Sequence, residues 1–127
     1  TKALDCHKKG SINEADKIYL KILTEYPNDF DSNHLHGVVL SQKKNYKSSI
    51  KYYEKALIIN PNFIEALYNL GVALNSMHRA QDALEFLNRA DKANPNSFLI
   101  LHAIGLSYKK LKNSELMKEN FGIKEYM

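Results

Sequence analysis

Apolar residues recur along this chain three and four positions apart, the spacing of one face of an α-helix. Between Leu67 and Ala90 they fall at Leu67, Leu70, Leu74, Ala83, Leu87 and Ala90, with Gly71 inside the first group and Pro95 closing the stretch. Polar His78 and Arg79 separate the two groups. The pattern predicts two amphipathic helices joined by a short turn, from Ile64 to about Ala93. The segment before it reads the same way: a helix from about Phe30 to Lys43, a turn at Lys44 and Asn45, and a helix to about Ile59. Its inward set is Gly37, Leu40, Ser49, Tyr53, Ala56 and Leu57. Further upstream, Ala15, Tyr19, Ile22 and Leu23 mark the inward face of a helix ending near Glu25, and Ser11 with Glu14 predicts a capping box at its start. Thr1 to about Lys9 reads as the tail of an earlier helix, stopped at Gly10.

The pattern keeps one period. Gly37, Gly71 and Gly105 are 34 residues apart, and so are Pro27, Pro61 and Pro95, each followed by asparagine. Two residue types holding one spacing mark an internal repeat. A mid-helix glycine costs roughly 0.5–1 kcal/mol relative to alanine, so its recurrence implies a compensating close approach between helices. This arrangement resembles the tetratricopeptide repeat, whose pattern is a large residue, Leu-Gly, another large residue, then small, large, small and proline. Leu67, Leu70, Gly71, Leu74, Ala83, Leu87, Ala90 and Pro95 carry it here. The resemblance covers almost the whole chain and implies an all-α fold, a right-handed α-solenoid of helix-turn-helix repeats. The expected division is a partial repeat over 1–29, repeats over 30–63 and 64–97, and a repeat over 98–127 with an atypical or truncated last helix.

Two places depart from the pattern. Asn33 and His36 stand where the next repeat has Leu67 and Leu70, so a water or an adjacent hydrogen-bond partner is expected in that layer. The last repeat opens regularly with Leu101, Ile104, Gly105 and Tyr108. Its second helix, expected after an Asn113-Ser114 cap, keeps Met117 and Phe121 in register but is interrupted by Gly122 and Lys124. It is either a polar end cap or a fraying end.

In the family that the repeat resembles, first helices line a concave groove that receives a peptide. By that resemblance the groove face comprises Glu65, Tyr68, Asn69, Val72 and Ser76, with Asp31, His34, Leu35, Val38 and Gln42 one repeat earlier. One repeat later come Leu99, His102, Ala103, Leu106 and Lys110. Two rows emerge: an aliphatic one of Leu4, Val38, Val72 and Leu106, and a ring row of His34, Tyr68 and His102. The aliphatic row either contacts a ligand or packs between first helices. The candidate peptide-binding set is His34, Val38, Tyr68, Asn69, Val72, His102 and Leu106. The co-chaperone branch grips a peptide carboxylate with groove lysines, asparagines and arginine, and of that set only Asn69 resembles a member here.

Composition narrows the chemistry. The net charge of +4 offers modest attraction to acidic partners. Lys8, Lys9, Lys43, Lys44, Lys47, Arg79, Lys109, Lys110 and Lys112 fall near the expected turns inside repeats. They either offset helix C-terminal dipoles or form a basic edge that favours acidic flanks on a partner. No apolar run approaches the roughly 20 residues of a membrane span. Nucleic acid is disfavoured, because the groove is not basic. The single cysteine, Cys6, sits at an apolar position and excludes an intrachain disulfide; it suits a reducing, cytoplasmic setting without requiring one.

No nucleophile and base pair, phosphate loop or metal-ligand spacing is present, so no catalytic residue, metal or cofactor is expected. His34 and His102, two repeats apart, are on the order of 20 Å from one another by helix packing distances. The sequence begins partway through a repeat, and a piece of a longer protein is the expectation. The function expected is a non-catalytic scaffold binding a protein or peptide segment in its groove. The alternatives are an accessory array of a larger enzyme of glycosyltransferase or sulfotransferase type, or a self-assembling module.

Overall fold

The structure, a computed structural model, describes residues 11–121. Expectations placed on Thr1–Lys9, Gly10, Leu4 and Cys6, and on Gly122 and Lys124, lie outside it. Six helices follow one another: α1 (Ile12–Glu25), α2 (Phe30–Gln42), α3 (Tyr46–Ile59), α4 (Ile64–Ser76), α5 (Ala80–Ala93) and α6 (Phe98–Phe121). Each packs on the next, and α2 with α4 and α4 with α6 also touch. This ladder is an α-solenoid, in which neighbours alone share surfaces. No described helix is long and apolar enough to cross a membrane.

The punctuation explains the helix lengths. Tyr26, Asn60 and Asn94 cap the C-termini of α1, α3 and α5, and each is followed by a proline that cannot continue the ladder. Two first helices end differently. The Lys44 N–H donates to the Ser41 carbonyl at 2.9 Å and the Asn45 N–H to the Leu40 carbonyl at 2.8 Å, with Lys44 at φ 61°. His78 and Arg79 repeat the geometry onto Asn75 and Leu74, with His78 also at φ 61°. These paired bonds form a Schellman motif, which satisfies carbonyls left open at a helix end.

Glycine acts at the contacts between paired helices. A β-carbon at Gly37 would lie 2.7 Å from the Tyr53 ring, and one at Gly71 would lie 2.5 Å from Leu87. The main core runs through α3, α4 and α5 into α6, with Tyr53, Leu67, Leu70, Leu74, Leu87 and Ile100 among its buried members. A smaller cluster of Ala15, Tyr19 and Val39 joins α1 to α2.

Two expectations are corrected. Ser11 stands at the N-cap of α1, but its side chain makes no cap bond; its ψ of 62° departs from the extended geometry of Asp29, whose carboxylate accepts from the Ser32 N–H at 3.0 Å. Glu14 instead lies 3.7 Å from Lys17. The second correction concerns the last repeat: α6 runs unbroken through Asn113 and Ser114 as a 24-residue helix. The stretch from Leu106 to Phe121 contains no glycine or proline and is rich in good helix formers, so the backbone ladder continues. Lys109, Lys110 and Lys112 therefore lie along a helix and not at a turn.

Candidate peptide-binding face

The residues expected to line the groove separate by depth. Val72 and Leu106 are 37% and 40% exposed, and His102 is also exposed. Tyr68 and Val38 are half-buried and lean on the main core. The two readings of the aliphatic row thus divide by position, with Val38 packing inward and Val72 and Leu106 facing out. Ala103 is buried.

His34 lies inside, at 5% exposure. Its ring stacks on Phe30 at 6.3 Å, meets Phe63 edge-on at 5.3 Å and approaches Tyr53 at 5.9 Å. The Asn69 amide nitrogen donates to His34 Nε2 across 3.1 Å. An amide nitrogen can only donate, so the imidazole accepts there and is neutral. Burial holds the His34 pKa below its ordinary value of 6.5, against the raising influence of Glu65 and Asp31. At the surface the ring row therefore consists of Tyr68 and His102. Burial also pushes the Tyr53 phenol up to about 12, while its hydrogen bond with the Ser41 hydroxyl opposes the rise.

The irregular second layer finds protein partners. His36 Nδ1 pairs with the Asp16 carboxylate of α1, and the ring meets Tyr52 edge-on at 4.4 Å. The Asn33 amide donates to the carbonyls of Pro27 and Asp29 at 3.0 and 2.9 Å, tying α2 to the preceding loop.

One polar link escaped the sequence reading. Ser107 Oγ donates to Asn75 Oδ1 at 2.8 Å, and the Asn75 amide donates to the Ala103 carbonyl at 3.4 Å, fastening α4 to α6 beneath the exposed face. The available signal was Ser107 itself, a polar residue 34 positions after the buried Ala73.

Lys43, Lys44 and Lys47 are exposed at the α2–α3 turn and Lys109 and Lys112 are exposed on α6, while Arg79 is held by Asp82 at 3.0 Å. A separate cleft of about 850 Å³ opens between the start of α5 and the C-terminal half of α6, lined by His78, Arg79, Lys110 and Met117 among others. Among the described residues no group of three or more His, Cys, Asp or Glu is placed to hold a metal ion.

Solved structures share the fold. The first repeat domain of Spaghetti (RPAP3), bound to the HSP90 peptide SRMEEVD, superposes with a TM-score of 0.82 at 18% identity, over 87% of this chain and 88% of that one. MamA from Desulfovibrio magneticus RS-1 gives 0.82 at 22% identity, over 94% and 68%. The Sgt2 repeat domain from Aspergillus fumigatus gives 0.80 at 16% identity, over 90% and 77%. A comparison with curated proteins returns no match. The family model described as tetratricopeptide repeat matches residues 40–104, just over half of the 127 residues. The helix pairs, the glycine contacts and this match agree: the chain belongs to the tetratricopeptide repeat family.

Proposed function

We propose that the chain is a non-catalytic scaffold that binds an extended protein or peptide segment across the face formed by α4 and α6. Tyr68, Val72, His102 and Leu106 supply the contacts, and Val38 extends the row. The observation that carries this reading is the exposure of Val72 and Leu106 on adjacent first helices, beside Tyr68 and His102. Apolar anchors with a few polar tips suit a peptide whose side chains are buried while its backbone is held by hydrogen bonds.

Buried His34 and its partner Asn69 hold the floor in place and are not offered as direct contacts. The peptide in the RPAP3 complex supports a peptide ligand in kind. Asn69 is engaged by His34, so a partner read through apolar side chains, with acidic flanks drawn by the lysines, is favoured over capture of a terminal carboxylate.

The test is affinity capture from native lysate with the wild-type chain and a Tyr68→Ala/His102→Ala double variant, captured proteins being identified by mass spectrometry. A specific protein held by the wild type and lost by the variant, with helical circular dichroism unchanged, is the expected result. Equal capture by both would move the binding surface elsewhere.

A further inference from the structure

The face formed by the first helices carries charge at both ends, and the ends differ in sign. Asp31 stands three residues before His34 on α2, and Glu65 four residues before Asn69 on α4. Residues three and four apart share one side of a helix. The Asn69 amide nitrogen meets His34 Nε2 at 3.1 Å, so the first turns of α2 and α4 lie side by side. Both carboxylates stand one turn from that bond, towards the helix starts. Burial lowers the pKa of the His34 ring, and Glu65 and Asp31 both act to raise it, which puts each within electrostatic reach of one imidazole.

No protein cation neutralises this pair. Both acidic residues are exposed, and among the described residues neither carboxylate forms an ion pair. The imidazole beside them accepts a hydrogen bond from Asn69 and is neutral. Helix dipoles favour an acid at each helix start, but they leave the outward side of the pair open to a cation.

The other end is basic. Asn75 of α4 bonds the Ala103 carbonyl and the Ser107 hydroxyl, 28 and 32 positions further along the chain. In that register Lys110 reaches past the end of α4, where it lines the cleft with His78 and Arg79. Arg79 is held by Asp82, whereas Lys110 forms no ion pair among the described residues. The acidic and basic ends are then about 22 Å apart along the helix axes, a span of about seven residues of extended chain. Between them stand Tyr68, Val72, Leu99 and Leu106, with Leu99 58% exposed.

We propose, on the reading that this face binds a peptide, that Asp31 and Glu65 seat a basic side chain of the bound segment while Lys110 receives an acidic one. The occupant is an extended segment with Lys or Arg near one end, apolar side chains in the middle, and Asp or Glu about seven residues from the basic residue. A guanidinium suits the seat better than an ammonium, because its planar fork meets two carboxylates at once. The charges also fix direction. A segment laid the other way brings its acid to Asp31 and Glu65 and its base to Lys110, and like charges then meet at both ends.

The test is selection of a phage-displayed library of random dodecapeptides on the full chain. The baits are the wild type, Asp31→Asn/Glu65→Gln and Tyr68→Ala/His102→Ala, beside a blank surface, and circular dichroism checks that each is folded. The wild type is expected to enrich peptides with Lys or Arg about seven positions from Asp or Glu, with apolar residues between. Asp31→Asn/Glu65→Gln, which keeps shape and removes charge, enriches the apolar pattern without the basic residue. It binds a synthetic copy of the wild-type consensus about three- to tenfold more weakly at low salt. A consensus lacking either charge, charges at another spacing, or a basic preference that survives Asp31→Asn/Glu65→Gln overturns the seat and leaves the face as a peptide site. Sequences enriched equally by Tyr68→Ala/His102→Ala, or none above the blank, overturn the peptide-binding reading and the seat with it.

Discussion

Gly71 lies under Leu87, and a β-carbon there would fall 2.5 Å from two atoms of that side chain. Replacement by alanine gains helix propensity but forces Leu87 from its seat, and overpacking of this kind costs about 1–3 kcal/mol. Gly71→Ala is therefore expected to lower the chemical denaturation midpoint despite alanine's better propensity; an unchanged or raised midpoint would contradict the close-approach role. His34 gives a second outcome at this scale. In the unfolded chain an imidazole titrates near 6.5, whereas burial holds the folded one lower. As the pH falls below about 6.5 the unfolded state takes up the proton first, so stability declines until the folded value is reached and is flat above about 6.5. The decline in midpoint should be shallower in His34→Gln, which keeps an acceptor for Asn69 without titrating. Equal slopes in the two proteins would remove His34 as a source of the pH dependence.

Helix ends are fixed by different means at the two sides of each repeat. Proline after Tyr26, Asn60 and Asn94 stops the second helices whatever surrounds them. The first helices stop at Lys44 and His78, neither of which is glycine, and each holds a left-handed conformation that L-residues disfavour. Those turns persist because Tyr53 and Leu87 pack back on the first helices once the turn is made. Where that return packing is absent, at Lys112, the helix continues. Local helix preference and the lack of return packing act together on the length of α6.

Across the molecule the core is uneven. Buried residues of α3, α4, α5 and α6 form one cluster, whereas among the described residues α1 and α2 are joined by a smaller one of Ala15, Tyr19 and Val39, with Ile12, Ile18 and Leu35 packed against it and the His36–Asp16 pair beside it. In an array stabilised by neighbour contacts, the helix with the thinner interface opens at lower free energy. Hydrogen exchange is expected to show weaker protection of α1 amides, such as those of Tyr19 and Leu20, than of α4 amides such as Leu70 and Gly71. Equal protection would mean that the chain opens only as a unit. The proposed peptide-binding face lies on the better-connected part, where Asn75 and Ser107 lock α4 to α6.

Much was legible in the chain itself. The apolar spacing, the 34-residue period and the prolines determined the helices, most of their ends and the repeat architecture, because periodicity and backbone chemistry act locally. The candidate face was legible only as a set of positions. Tertiary structure placed His34 inside, since Phe30 of its own helix, Tyr53 of α3, and Phe63 and Asn69 at the start of and within α4 close around it. It left Val72 and Leu106 outside and turned Asn69 into a partner for an imidazole. The Lys-Asn dipeptide is a turn at Lys44, where Tyr53 packs against Gly37, and a helix at Lys112, where nothing lies within 4 Å of a β-carbon at Gly105.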